Sequence, residues 1–315
     1  MMNDNYQRYM DANTNESTKK NFKFYFDALD RHNIDVDSNN ITNIEQLENI
    51  FVQLGFNSFN SIISFRSLLK SYSRFIDDKS LFNLIRKLDI YHILEITQGN
   101  MKHTYLSQSE FQDVYNAIGT YEEDTFYYNS LYYQSLFWAV YVGIYNDDLS
   151  VCKNLRATDI DGRNITLRND NNEEWKLDIP EQLVLDFITL VNNPVWYRRN
   201  RGGLCKIQTE GLFYDSIFKV DIRTPNSKYS YSSTYYTILR KIAKEYLGYT
   251  LAPKNLFMSG IINRIKEQYG KSDELFVEGI KTSDTVLVDI FNQEAKRCHY
   301  EVGFWNFRQT ILGRI

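Results

Sequence analysis

The chain has few cysteines and histidines, and it has no long apolar run. Cys152, Cys205 and Cys298 are scattered and odd in number, so they indicate reduced thiols rather than a disulfide framework. The four histidines have no metal-ligand spacing, and we expect neither a metal nor another cofactor. No apolar run reaches the roughly 18 residues that a membrane span needs, and residues 1–20 contain no secretory core. These absences favour a cytoplasmic protein without a membrane partner.

The composition is that of a folded protein with an uneven distribution of charge. Hydrophobic residues make up 43% and aromatic residues 15% of the 315 positions, which is enough for two domains. The net charge of −4 argues against a protein that coats nucleic acid uniformly. Residues 198–244, however, contain ten basic and three acidic residues, whereas residues 110–148 contain seven acidic and no basic residues. This asymmetry predicts a positive face that binds phosphates.

Residues 1–98 have the apolar spacing of a helical domain. The spacing predicts four helices: one that begins at Asn15 or Ser17, one that ends at Gly55, Ser58–Phe75 and Lys79–Ile90. Residues 99–104 are predicted to be a linker, and residues 105–315 to be the second domain. The third helix presents three basic residues that either contact DNA or form a solvated face, Arg66, Lys70 and Arg74.

The second domain begins with a recognisable order of elements. Ser107 and Glu110 have the spacing of a capping box, and the apolar segment Tyr127–Ile144 follows. Residues 164–168 and 175–179 alternate around an Asn- and Asp-rich turn, which predicts a β-hairpin. Pro180 then suits the first position of a helix that continues to Val191.

This order resembles the start of the catalytic domain of tyrosine recombinases, the phage integrase family. The resemblance is strongest at Leu106–Phe111 and from Leu155 through Asp161 into the hairpin. It implies a mainly α fold with a small β-sheet (α+β). A helical, SAM-like core-binding domain at 1–98 and a recombinase-like domain at 105–315 would form a clamp around double-stranded DNA.

The resemblance fails where that family has its first catalytic arginine. Counted back from Leu155, this position is Asp148; matched from Gly143, it is Tyr145. No arginine lies between Met101 and Lys153. Because two arginines hold the phosphoryl oxyanions in the family's reaction, their loss would remove the stabilisation that the transition state needs.

A second catalytic segment of the family also has different residues here. The family's pattern is matched at Pro253, Leu256 and Ser259. Its first histidine is replaced by Lys254, its second catalytic arginine by Phe257 and its next histidine by Met258. Tyr300 lies at a suitable distance for the nucleophile, although the expected motif before it is absent and residues 261–284 diverge. We therefore expect no recombinase activity.

Candidate DNA contacts cluster after the hairpin. The turn at 193–203 contains three arginines beside two glycines, and the helix expected at 235–246 follows a cluster of Lys, Ser and Tyr residues that could bind phosphate at its N-terminus. Phosphate contacts are predicted for Arg198, Arg199, Lys228, Tyr231 and Lys254, and base contacts for some of Arg201, Arg240, Lys241 and Lys244. Two further candidates are Lys206 and Tyr229. The tyrosines could equally be packing residues, and the basic turn a solubilising surface.

Two other features of the sequence are interpreted as structural rather than catalytic. The acidic pairs Asp147–Asp148 and Asp159/Asp161 are interpreted as solvated or capping groups rather than a two-metal nuclease site. Residues 285–315 are amphipathic and either dock on a neighbouring copy or fold back on their own chain.

Together these observations predict a sequence-specific DNA-binding transcription regulator, a prophage repressor that maintains lysogeny on a degenerate recombinase scaffold. Its partners would be AT-rich operator DNA and, in addition, a second copy of the chain or a regulatory protein. The alternatives are an active integrase with rearranged catalytic residues and a protein-interaction module that does not bind DNA.

Overall fold

A computed structural model describes residues 4–12, 16–37, 39–56, 58–97, 104–121, 130–147, 149–193, 195–200, 203–208, 217–218 and 241–312. Its contacts divide the chain into two units, Met1–His103 with Trp305–Ile315, and Thr104–Phe304. The boundary near residue 103 falls inside the linker expected from the sequence. The C-terminal residues, which the sequence assigned to the second domain, belong instead to the first unit.

The described residues are mainly helical, with two small antiparallel sheets, which confirms the predicted fold class. In chain order the helices are α1 (Asp4–Ala12), α2 (Glu16–Arg31), α3 (Ile44–Gln53), α4 (Phe59–Phe75), α5 (Lys79–Lys87), α6 (Ile90–Ile96), α7 (Gln108–Thr120), α8 (Ser130–Val142), α9 (Ser150–Asn154), α10 (Glu181–Asn192), α11 (241–247), α12 (Pro253–Tyr269), α13 (Asp273–Thr282), α14 (Thr285–Arg297) and α15 (Phe304–Ile311). None of the helices in this described part is long and apolar enough to cross a membrane.

The first unit contains more helices than the spacing predicted. α3 and α4 lie close to the expected positions, and Gly55 follows α3 with a positive φ of 61°. Helix α1 was missed, although its buried rings Tyr6 and Tyr9 pack against Phe26 and Tyr72. The helix predicted at 79–90 is two helices. Asp89 interrupts it because its carboxylate caps the backbone of α6.

The C-terminal helix α15 folds back onto this helical unit. Phe307 and Ile311 are buried, and the Arg308 guanidinium carbon lies 5.4 Å from the centre of the Tyr91 ring on α6. Docking on a neighbouring copy, the alternative that the sequence left open, stays a prediction.

The second unit is organised around the buried helix α8, which packs against α7, α10 and α12. The predicted capping box at the start of α7 is confirmed. The Glu110 carboxylate accepts from Ser107 N at 2.8 Å, and Ser107 Oγ accepts from Glu110 N at 3.2 Å. The apolar segment predicted at 127–144 corresponds to α8.

The predicted hairpin is also confirmed. It consists of β2 (Asn164–Arg168) and β3 (Glu174–Asp178), and the short strand β1 (Ile160–Asp161) adds to β2 in the order β1-β2-β3. A separate two-stranded sheet, β4 (Val195–Asn200) and β5 (Gly203–Gln208), follows α10. The sequence interpreted the first of these strands as part of an exposed turn.

Helix α12 is fastened to the chain before α7 by two of its own polar side chains. Leu106 N donates to Ser259 Oγ at 2.8 Å, and Asn263 Nδ2 donates to Leu106 O at 2.9 Å. Both backbone groups of Leu106 are thereby satisfied inside the core, where an unpaired group would be costly.

The carboxyl end of α8 is held by two arginines and one carboxylate. Arg264 Nη1 donates to Tyr141 O at 2.8 Å, and Arg297 Nη2 donates to Val142 O at 2.8 Å. The two guanidinium groups share the carboxylate of Glu294, whose residue is 2% exposed. The last carbonyls of a helix have no intrahelical donor, so this triad supplies their hydrogen bonds and places positive charge at the negative end of the helix dipole.

Replacing Gly260 by alanine should strongly destabilise the second unit. A Cβ at this position would lie 1.8 Å from the backbone oxygen of Tyr141, so α8 and α12 would have to separate. Overpacking of this kind costs about 1–3 kcal/mol or more. The free energy of unfolding, measured by urea denaturation, should fall by that amount in Gly260→Ala. Gly303→Ala, whose added Cβ meets nothing within 4 Å, is the control and should change it little.

Replacing Glu294 by glutamine should destabilise the protein in a pH-dependent manner. Burial alone would raise the pKa of Glu294, but the hydrogen bonds and charges of Arg297 and Arg264 outweigh it and lower the pKa. Breaking one partner of a buried charged network costs about 3 kcal/mol or more. Since the folded pKa is depressed, this contribution is complete above the unfolded value of about 4.3 and is lost as the pH falls through the folded pKa.

The difference between wild type and Glu294→Gln in the free energy of unfolding should therefore be large at neutral pH and shrink in acid. Glu267→Gln, at an exposed position of α12, is the control. A difference that stayed constant down to acidic pH would contradict a role for the ionised carboxylate.

Candidate functional site

Three positions that the recombinase resemblance singled out meet in one aromatic cluster. The Tyr145 and Phe257 rings stack with centroids 4.8 Å apart and an interplanar angle of 24°. The Tyr300 ring meets Phe257 edge-on, with centroids 5.6 Å apart. Phe257 is 3% exposed, whereas Tyr145 and Tyr300 are half-buried. The fold thus brings together the alternative first-arginine position, the second-arginine position and the candidate nucleophile.

The chemistry available to this cluster is limited by its surroundings. Burial, together with the nearby Tyr105 and Asp147, raises the pKa of Tyr300 to about 12. A nucleophilic phenol needs the opposite shift or an adjacent base. Tyr145 Oη donates to Asp147 Oδ1 at 3.1 Å, so its hydroxyl is also committed within the chain. A phenylalanine ring has no donor for a phosphoryl oxygen.

The remaining positions of the second catalytic segment lie on α12 near its N-terminus. Lys254 is exposed in the first turn, Met258 is buried, and Pro253 opens the helix. Ala252 precedes the helix and provides no side-chain cap. Lys254 is therefore available to solvent at the positive end of a helix dipole, where an anion is favoured. Asp148, the other alternative for the first arginine, lies outside the described residues.

Several predicted DNA contacts lie on the two-stranded sheet. Arg198 and Arg199 belong to β4 and Lys206 to β5, and the register pairs Arg198 with Cys205, Arg199 with Leu204 and Tyr197 with Lys206. Three of the predicted DNA contacts therefore lie on this one sheet.

The predicted contacts nearer the 235–246 helix are described only in part. Lys241 and Lys244 lie on α11 and are exposed. The Lys241 Nζ is 5.7 Å from the centre of the Tyr121 ring, and Tyr121 Oη donates to Glu245 at 3.1 Å. Five predicted contacts lie outside the described residues: Arg201, Lys228, Tyr229, Tyr231 and Arg240.

Two of the three candidates in the first unit have intramolecular contacts. The Arg66 guanidinium donates to Ile85 O and Arg86 O at 3.3 Å, so it caps the end of α5. The Arg74 guanidinium carbon lies 4.7 Å from the centre of the Phe82 ring. Lys70 is half-buried on the same helix. DNA contact by these residues stays a prediction, and Arg66 already has a structural role.

The acidic residues considered for a nuclease site serve local structure. Asp159 accepts from Arg156 N at 2.8 Å and pairs with Arg168, so it is a buried capping group. Asp161 is exposed on β1. Among the described residues, no group of three or more His, Cys, Asp or Glu side chains could hold a metal ion.

Sequence reasoning missed the triad of Arg264, Glu294 and Arg297, which lies beside the aromatic cluster. Glu294 and Arg297 are three positions apart on α14, but Arg264 lies on another helix and in the segment that diverges from the recombinase pattern. The sequence does place Glu294 and Arg297 three positions apart on one helix, but such a pair usually lies on the solvent-exposed surface.

The aromatic cluster and the carboxylate triad lie in the second, mainly helical unit. Residues 122–302 match the family described as "MrpR, C-terminal catalytic domain". This match spans more than half of the chain, and the chain therefore belongs to that family. No curated protein sequence is significantly similar to the chain.

Solved recombinase structures align with nearly the whole chain at low identity. The XerA recombinase aligns over 97% of this chain and 95% of its own, with 13% identity and a TM-score of 0.39. The Tn1549 transposon integrase in complex with circular intermediate DNA aligns over 93% of each chain, with 12% identity and a TM-score of 0.42.

Truncating Phe257 should destabilise the fold because its ring fills the centre of the cluster. Phe257→Ala should lower the free energy of unfolding by about 3–5 kcal/mol, the usual cost of a Phe-sized cavity. Phe24→Ala, where the ring is 63% exposed, should change it by no more than about 0.5 kcal/mol. Equal effects of the two changes in urea denaturation would contradict the packing role of Phe257.

Proposed function

We propose that this protein is a sequence-specific, double-stranded DNA-binding transcription regulator, a prophage repressor that maintains lysogeny on a recombinase scaffold that no longer cuts DNA. The observation that carries the proposal is the contact between Tyr145, Phe257 and Tyr300. The recombinase resemblance expects arginines at Phe257 and at either Tyr145 or Asp148, and the Tyr145 ring stacks on Phe257.

The physical reason for lost catalysis is electrostatic. Transfer of a phosphoryl group develops negative charge on the equatorial oxygens, and removing a donor that faces such charge typically costs 100- to 1000-fold in rate. Loss of both arginines, one replaced by Phe257 and the other by Tyr145 or Asp148, would multiply that cost. The raised pKa of Tyr300 adds a further obstacle, because it makes the attacking phenolate harder to form.

Two arginines of the second unit already have structural partners. Arg264 and Arg297 are bound to Glu294 and to the last carbonyls of α8. Turning either guanidinium toward a phosphate would leave a buried carboxylate or a helix end unsatisfied. This arrangement weighs against Arg264 and Arg297 as rearranged catalytic residues. The rearranged integrase considered from the sequence would use Arg198, Arg199 or Arg201 instead.

Binding to DNA is supported by the positive charge that remains. Lys254 projects into solvent at the start of α12, and β4 and β5 contribute Arg198, Arg199 and Lys206 in a chain whose net charge is −4. Local positive charge of this kind binds DNA phosphates, and the affinity falls steeply as the salt concentration rises.

A regulator is the most economical role for a scaffold that binds DNA without cutting it. In architecture and degeneration the chain is similar to the master lysogeny repressor of SPβ-like Bacillus phages, a recombinase-fold protein that silences prophage genes. On this proposal it acts in the bacterial cytoplasm on AT-rich operators, as an oligomer on DNA or with a regulatory protein partner.

The test measures binding to a library of short AT-rich duplexes at two salt concentrations. Wild type should bind a subset tightly and salt-sensitively. Lys254→Ala should weaken binding to all sequences and reduce the salt slope by about 1, as expected for one lost phosphate contact. Lys176→Ala, at an exposed position of β3, is the matched control and should leave the slope unchanged.

The same samples report on catalysis. Nicked duplexes incubated with wild type should yield no covalent protein–DNA product, and Tyr300→Phe should bind as wild type does. A covalent product that disappears in Tyr300→Phe would establish an active integrase instead. Absence of salt-sensitive binding would favour a protein-interaction module.

A further inference from the structure

The strands β4 and β5 form a ribbon of their own within the second unit. Their register runs from Val195 paired with Gln208 to Asn200 paired with Gly203, and no third strand among the described residues joins them. An isolated two-stranded ribbon is only marginally stable in water. Such a ribbon gains stability when a further surface covers one of its faces.

The composition of the ribbon indicates which kind of surface that is. Arg198, Arg199 and Lys206 lie on the two strands, and no acidic residue occurs between Val195 and Gln208. Strands that carry three basic residues and no acidic residue of their own attract a polyanion. Duplex DNA carries one negative charge per about 1.7 Å of its axis, which matches this charge better than the mixed surface of a protein would.

The dimensions of the ribbon select one groove of the duplex. Paired strands lie about 4.8 Å apart, and six residues of strand extend about 20 Å. The major groove, about 12 Å wide, admits a two-stranded ribbon with its side chains, whereas the minor groove, about 6 Å wide, would have to be deformed to admit one. The major groove is also the one that presents a distinct donor and acceptor pattern for every base pair.

From this fit we infer that the β4–β5 ribbon enters the major groove of the bound duplex and reads base edges there. The inference rests on the proposed DNA-binding function and adds its mode of recognition. It assigns base recognition to a strand element in place of the α11 lysines, Lys241 and Lys244, for which base contacts were predicted from the sequence.

The register also distinguishes the two adjacent arginines. Successive positions of a strand alternate between faces, and directly paired positions share a face. Position 206 is paired with 197, so positions 199 and 206 lie on one face and position 198 on the other. The face with two basic positions is the one assigned to the groove. Arg199 then supplies the planar fork that matches guanine O6 and N7.

The experiment uses the full chain and a tightly bound duplex selected from the AT-rich library. In one set of duplexes, 7-deazapurines replace single purines and remove N7, a major-groove acceptor. In a second set, inosine replaces guanine and removes the minor-groove amino group. At one or more positions, 7-deaza substitution should weaken wild-type binding about tenfold, whereas inosine should change it less than twofold.

The variants connect this sensitivity to the ribbon. Arg199→Lys keeps the charge but loses the fork, so it should bind more weakly and lose the 7-deaza sensitivity. Arg198→Ala should keep that sensitivity, as should the control Lys176→Ala. Circular dichroism and thermal melting establish that each variant is folded before its affinity is compared.

The outcomes separate this inference from the proposed function. Specific binding that responds to inosine but not to 7-deazapurines would place recognition in the minor groove and overturn the inference alone. So would 7-deaza sensitivity that survives in Arg199→Lys and is lost on substitution of Lys241 or Lys244. Failure of wild type to bind any duplex would overturn the inference together with the proposed function.

Discussion

The second unit depends on the hydrogen bonds that the Arg264–Glu294–Arg297 triad makes with the carboxyl end of α8. The helix is buried on most sides, so its last carbonyls have no access to water and must find donors inside the protein. The two guanidinium groups are those donors. Both also donate to Glu294 Oε1, at 2.6 and 2.9 Å, and this carboxylate offsets one of their two positive charges. Because Arg264 is on α12 and Arg297 on α14, this one cluster joins three helices.

The same contacts determine where the aromatic residues lie. Gly143 follows α8 with φ of 121°, and a Cβ there would lie 2.7 Å from Cys298 Sγ. Tyr145 is two residues beyond Gly143, and Tyr300 is two residues beyond Cys298. Close packing of Gly143 on Cys298 therefore directs both tyrosines toward one place. Phe257, one turn before Gly260 on α12, enters the same space because Gly260 packs directly on Tyr141 O.

Local features of the sequence predicted local structure well. Ser107 with Glu110 predicted the start of α7, and the alternation around the Asn-rich turn predicted β2 and β3, since each depends on residues a few positions apart. The break at Asp89 and the strand β4 were missed because helical spacing and positive charge dominated the interpretation of those residues. The triad could not be predicted, because Arg264 and Glu294 are 30 positions apart and no periodicity connects them.

The aromatic cluster was found partly from the sequence and partly from the three-dimensional packing. The resemblance to recombinases identified Tyr145, Phe257 and Tyr300 from their order along the chain, and only the three-dimensional packing shows that they touch. The triad that holds the helices uses arginines of its own, separate from the positions that a recombinase would use for phosphate. On the proposed function, the absence of arginines from those positions takes no support from the helices, and the buried ring of Phe257 adds apolar contact. A scaffold built in this way can exchange the residues at those positions and remain folded.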